Sequence, residues 1–220
     1  MKSTFNMSSA AAESDQRPMT NDVRSSLVIG RWSFALLVCL LWSLLAGCTA
    51  APPVVKIGLV GPFEGRHRAV GYDVIYSARL AVREINAAGG IGSYRLALVA
   101  LDDGGDPEMA AQIAASLVLD EAVVAVIGHW LPETTAAAAP IYQAAGLRFI
   151  TGGQPPYEPV DPARLSSAFR EAYAAVTPFD ETAGPYAGPA YAAMQAILTD
   201  MKTALKANTP LTRATLFDNQ

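Results

Sequence analysis

Between residues 54 and 150, short runs of β-branched residues alternate with longer stretches of helical apolar spacing, and no other feature narrows the possible folds as much. Residues 54–60 (VVKIGLV), bounded by Pro53 and Gly61, read as a buried strand. Residues 70–88 carry Val74, Ala78, Ala81, Val82 and Ile85 at helical spacing and stop at Gly89-Gly90, where a residue without Cβ closes a helix at no steric penalty. The pattern then repeats. A strand over 94–101 precedes a helix over 107–119 with Ala110, Ile113, Ala114 and Leu117 inward; a strand over 123–127 precedes a helix over 133–145; a fourth strand covers 147–150. Strands separated by such helices are joined in parallel through right-handed crossovers. The expected fold is α/β, a Rossmann-like or flavodoxin-like parallel sheet with helices on both faces.

After Ile150 the rhythm breaks. Residues 151–162 (TGGQPPYEPVDP) hold four prolines and two glycines and read as a joint. Two helices follow with no strand between them, over 163–175 and about 186–207, the second with Ala190, Ala193, Met194, Ile197 and Met201 inward. Residues 214–217 read as at most a short strand. Four or five strands are too few for two full domains.

Upstream, residues 32–47 (WSFALLVCLLWSLLAG) run sixteen residues without a charge behind Arg24 and Arg31, the order of a signal peptide. A membrane-spanning helix needs about 20 apolar residues, and this run is shorter and ends in small ones. It closes on Leu45-Ala46-Gly47-Cys48, which resembles the lipobox of bacterial lipoproteins; the resemblance implies cleavage before Cys48 and a lipid on its sulfur. Residues 1–47 are thus expected to be a signal peptide with a long polar leading region, and 48–53 a lipidated linker. A signal starting at Met19 is equally complete. Of the two cysteines, Cys39 lies in the removed segment, so the mature chain keeps Cys48 alone and no disulfide. From 48 to 220, 12 Lys and Arg face 17 Asp and Glu, a net charge of −5, which gives no sign of a nucleic-acid partner.

Several motifs are less specific than they look. Gly89-Gly90-Ile91-Gly92 follows a helix, whereas a dinucleotide fingerprint lies between strand and helix, so it reads as a helix end and turn. Asp102-Asp103-Gly104-Gly105-Asp106 lacks EF-hand spacing and reads as a solvated loop in which Asp106 caps the next helix. His67 and His129 are the only histidines, and no further Cys or His completes a zinc set. There is no G-x-S-x-G elbow, and Ser166-Ser167 stands beside no base. The expectation is a chain with no cofactor, no metal and no enzymatic activity.

In open parallel sheets, ligands bind beyond the carboxyl ends of the strands. Four loops are expected there: 61–71, 102–106, 128–135 and 151–156. The third (GHWLPETT) offers an exposed Trp130, Thr134, Thr135 and a helix start that attracts an anion. Capping of their own helix and ligand contact remain alternative roles for the two threonines.

Residues 55–150 resemble the first lobe of type I periplasmic binding proteins of the leucine/isoleucine/valine-binding family, the receptors of ABC importers. The resemblance rests on Ile57-Gly58-Leu59-Val60-Gly61-Pro62, on residues 80–91 (LAVREINAAGGI), on Leu101-Asp102-Asp103 with Asp106-Pro107, on residues 125–129 (AVIGH), and on Ala139-Pro140-Ile141-Tyr142 with Gly146-Leu147. It implies that Thr134 supplies a hydroxyl to a ligand carboxylate. It also implies that the loop holding Gly153 and Gln154 supplies a carbonyl and a hydroxyl to a ligand amine, although Gln154-Pro155 provides no hydroxyl. Glu64, Arg66, His67 and Arg68 make the first loop unusually charged for an amino-acid site, so a polar or anionic solute fits as well.

Such receptors close two α/β lobes over the ligand. Here 54–152 reads as the first lobe, 153–162 as a Pro-rich joint and 163–220 as helices returning to that lobe; the second lobe is missing between about Gln154 and Ala168, as an internal deletion leaves it. The resemblance therefore implies a solute-binding lipoprotein with weakened binding, lipid-anchored outside the cell membrane, whose partners are a small solute and an ABC permease. The alternative is a membrane-anchored protein-interaction or sensory module built on the same lobe.

Overall fold

The computed structural model describes residues 51–217. The expected signal peptide and Cys48 lie outside them. From Pro52 onward the chain forms one unit containing β1 (Val54–Gly61), α1 (Arg68–Ala87), β2 (Arg95–Asp102), α2 (Pro107–Leu119), β3 (Val123–Ile127), α3 (Pro132–Ala144), β4 (Arg148–Ile150), α4 (Ser167–Ala174), α5 (Ala187–Lys206) and α6 (Arg213–Phe217). All strand pairs are parallel, in the order β2-β1-β3-β4. That is the flavodoxin-like order of the two expected, with the strand order reversing between β1 and β3.

Two apolar cores cover the two faces of the sheet. Ile57 and Leu59 of β1 meet Val74, Ala78 and Ala81 of α1 and Ala193, Met194, Ile197 and Met201 of α5. On the other face Val60 and Val126 meet Ile113, Ala114 and Leu117 of α2 and Ala138 and Tyr142 of α3. Strand alternation would send neighbouring residues to opposite faces, yet Val124 and Ala125 both join the α1/α5 core. The cause is a bulge: Lys56 pairs with Val123, but Ile57 pairs with Ala125.

The returning segment is bound by polar contacts that bury their charge. Asp73 of α1 accepts the N–H groups of Gly184 and Tyr186, both at 3.0 Å, just before α5 begins. Burial pushes this carboxyl above its ordinary range, against the pull of the two N–H groups. Arg213 reaches back to the end of α2, where its guanidinium donates to the carbonyls of Leu117 (3.2 Å), Val118 (2.7 Å), Val123 (2.9 Å) and Asp120. Leu117 O and Asp120 O also accept the N–H groups of Asp120 and Val123, and a cation suits this end of the helix dipole.

Two expected elements differ. Residues 163–175 form not one helix but a 3-10 turn (Pro162–Arg164) and then α4, because Ser166 accepts from Phe169 N–H and starts the helix there. Residues 214–217 belong to the helix α6 rather than a strand. Thr212 and Thr215 exchange N–H to hydroxyl bonds across its first turn, at 3.1 and 3.3 Å, in the manner of a capping box.

Candidate functional site

The site is framed by the loops that leave the carboxyl ends of the strands, above the reversal between β1 and β3. Gly128, directly after β3, has φ 131°, and a Cβ on it would lie 2.1 Å from the carbonyl oxygen of Val60. Only glycine lets the two strands approach this closely as they end. The next residues, His129 and Trp130, turn back under the loops. The Trp130 ring lies against Gly61 and Gly152, whose Cβ positions would fall 3.0 and 2.3 Å from ring atoms, and meets Tyr186 edge-on with centroids 6.1 Å apart. Trp130 is 3% exposed. The expected exposed tryptophan is therefore a buried floor, because two glycines, one at the end of β1 and one in the loop after β4, leave a slot for it. Its indole N–H finds no acceptor among the described residues.

The threonines hold this floor in place. Thr134, fully buried, donates its hydroxyl to Leu131 O at 3.0 Å, and Thr135 donates to His129 O at 2.9 Å. Neither accepts from the first-turn amides, and α3 starts at Leu131-Pro132 with no side-chain cap. Neither hydroxyl caps the helix start; each donates to a carbonyl of the preceding loop. Gly153 stands over the Trp130 carbonyl, has φ 73° and donates its N–H to Tyr157 O. Gln154 is exposed, and its carbonyl accepts from Tyr157 N–H at 2.6 Å. Glu64 and Arg66 stand in solvent on the first loop, where Arg66 turns to its neighbour His67. The fold thus brings Trp130, Thr134, Thr135 and Gly153 together, while Gln154, Glu64 and Arg66 are exposed.

Beneath the floor lies a polar cluster that the sequence reading missed. Asp103, expected in a solvated loop, is fully buried: its carboxylate meets His129 Nδ1 at 2.8 Å and accepts Gly105 N–H at 3.0 Å. The other ring nitrogen of His129 meets the Tyr142 hydroxyl at 3.1 Å. All three groups are satisfied when Nδ1 carries a proton toward Asp103 and Nε2 accepts from Tyr142. Burial, and then the Asp103 charge, raise the Tyr142 hydroxyl well above its ordinary range, so it stays a donor. Asp102 instead holds the first loop, accepting from Phe63 and Gly104 N–H at 2.8 Å each. Asp106 caps α2 as expected, accepting Met109 N–H at 2.8 Å. No group of three metal-ligating side chains occurs among the described residues.

Residues 54–163 match the family model described as periplasmic binding protein. The chain belongs to that family. This periplasmic binding protein is 37% identical over 99 residues to an amino acid binding protein of Pseudomonas aeruginosa, covering 45% of this chain and 26% of the relative. It is 34% identical over 116 residues to the Leu/Ile/Val-binding protein of Escherichia coli K12, covering 50% and 31%. Among solved structures, a branched-chain amino acid transporter substrate binding protein of Streptococcus pneumoniae in complex with isoleucine is 36% identical over 44% of this chain and 28% of its own, with a TM-score of 0.43. The matched stretch thus spans about a third or less of each relative's length.

A signal for the missed cluster was present. Asp102 and Asp103 are consecutive at a strand end, and alternation sends one of any such pair inward. His129 follows five fully buried residues and continues into the same interior.

Proposed function

We propose that this chain is the ligand-facing lobe of an extracytoplasmic solute-binding lipoprotein serving a branched-chain amino acid-type ABC transporter, held to the cell membrane through Cys48, and that it is not an enzyme. The observation carrying the reading is that the uncapped start of α3, the Trp130 floor and the Gly153 loop converge at the reversal in strand order, where open α/β sheets bind ligands. The start of α3 takes a carboxylate, with the amides of Glu133 and Thr134 as donors. Thr134 and Thr135 position that turn, and the Thr134 hydroxyl turns to the ligand only by leaving Leu131 O. Gly153 and Gln154 face the other end of the solute, while Glu64 and Arg66 set the charge at the rim.

With the second lobe absent between about Gln154 and Ala168, the solute keeps water on one face. Losing about half of some six hydrogen bonds at about 1 kcal/mol each weakens binding by about 3 kcal/mol, roughly a hundredfold. The decisive experiment is calorimetry of the mature chain against leucine, isoleucine, valine and small carboxylates, with Thr134→Ala alongside. Binding at about 100 micromolar or weaker, weakened further by Thr134→Ala, is the expected result. No heat from any of these solutes, with the fold intact, removes the receptor reading; micromolar binding by a monomer removes the weakening.

A further inference from the structure

The two ends of the sheet carry opposite charge, and the basic end is the one at which β1 begins. Pro53, just ahead of β1, lies beside β2, its carbonyl accepting Arg95 N–H at 2.8 Å. The turn leading into Arg95 packs on the last turns of α5: a Cβ on Gly92 would lie 2.9 Å from Leu205 Cδ1. Lys202 and Lys206, one helical turn apart, line a cleft of about 330 Å³ there with Gly90 and Gly92. At this end Lys56 is paired with Asp120 and Arg148 with Asp200. The remaining charge is carried by Arg95, Lys202, Lys206 and Arg213, opposed by Glu84, which shares a cleft with Lys202, and by Glu121. The opposite end, with the site loops, is crowded with acidic side chains such as Asp106, Glu108, Glu133 and Glu158 beside Arg66 and Arg68. Exposed apolar side chains occur at both ends, with Val54 and Leu119 at the basic one and Met109 at the other. Charge is therefore what distinguishes the two ends.

We propose that, while the lobe is not docked on a permease, its basic end lies against the anionic phospholipid headgroups of the membrane that holds Cys48, so that the site loops point away from it. This rests on the lipidation proposed above. Five residues from Cys48 to Pro53 reach at most about 18 Å, which keeps Arg95 and the two lysines close to the headgroups. Charge acts within about 8 Å at physiological salt, and each basic residue at an anionic surface strengthens contact roughly fivefold. Lys206 also suits the C-terminal end of the α5 dipole. Arg95 likewise donates to Asn86 O at the end of α1 and Lys202 shares a cleft with Glu84, while all three stay exposed and able to meet headgroups.

The test uses the processed, lipidated protein in phosphatidylcholine vesicles with and without phosphatidylglycerol. Cys48 is the sole cysteine after processing, so Ala207→Cys and Glu108→Cys, made singly at exposed positions of opposite ends, each carry one donor dye, with an acceptor dye on the lipid. On anionic vesicles at low salt, transfer from position 207 should exceed that from position 108 about threefold or more. The excess should fall in high salt, on neutral vesicles and with Lys202→Glu/Lys206→Glu. Equal transfer from both positions on anionic vesicles overturns the proposal, as does an excess that survives on neutral vesicles, since the tether alone then sets the pose. Protein that does not partition into vesicles overturns the lipidation and the orientation together, an outcome separable from equal transfer by protein bound to vesicles.

Discussion

His129 Nδ1 stands 2.8 Å from Asp103 Oδ2 with the two side chains 1% and 0% exposed, so the ends of β2 and β3 are clasped by a polar pair that water does not reach. Removing one member of such a pair leaves the other buried and unmatched. His129→Ala should destabilise the fold by about 3–5 kcal/mol, and Tyr142→Phe by about 1 kcal/mol. Urea unfolding of both variants measures this. A loss of under about 1 kcal/mol for His129→Ala would show that the pair contributes little to clasping the strands.

The carboxyl of Asp73 gives a pH dependence of defined sign. Its folded value is raised above the ordinary 3.8 by burial, so the folded state binds the proton more readily than the unfolded one. Stability from this group is then fully present below the unfolded value and is lost as pH rises through the folded one. Thermal unfolding of the wild type and Asp73→Asn from neutral pH down to 4 should therefore show the wild type gaining ground on acidification. A wild type that loses ground instead would mean that the bonds from Gly184 and Tyr186 outweigh the burial.

At Arg213 one guanidinium serves four carbonyls at the α2–β3 junction. Arg213→Ala should cost about 2–3 kcal/mol, since charge-assisted bonds are lost and the carbonyls are only partly rehydrated. Arg213→Lys should restore less than half of that, because an ammonium cannot span the four oxygens as a planar fork does. Full restoration by lysine would reduce the contact to simple charge.

The anchor has its own test. Fatty-acid labelling of growing cells should mark the protein, and Cys48→Ser should abolish the label and slow its processing. With more than one acyl chain the wild type should resist a high-salt wash of membranes. Label that persists in Cys48→Ser would remove the assignment.

The elements read most directly from sequence are those with local signals. Residues 107–119 and 123–127 have the expected bounds because Asp106 and Pro107 start one element and an uninterrupted apolar run makes the other. What stayed hidden depends on distant partners. Trp130 becomes a floor only because Gly61, at the end of β1, and Gly152, in the loop after β4, leave it space. Asp103 and His129 are 26 residues apart, and a strand and a helix must both form before they meet. The α6 helix was missed because its signal, a threonine at each end of one turn, resembles an ordinary surface pattern. At the site itself, the loops were legible from the strand ends, but the inward turn of the Thr134 hydroxyl to Leu131 O was not.

The grip of Arg213 also imposes an order on folding. Its four acceptors lie 90 to 96 residues upstream, so during synthesis the junction between α2 and β3 is made long before the residue that completes it. Until then Leu117 O and Asp120 O keep only the backbone bonds from Asp120 and Val123, and the α2–β3 junction can open locally. Contacts of such sequence separation form slowly and late. A nascent chain stalled before residue 213 should therefore hold a loosely closed sheet, which the last helix then locks.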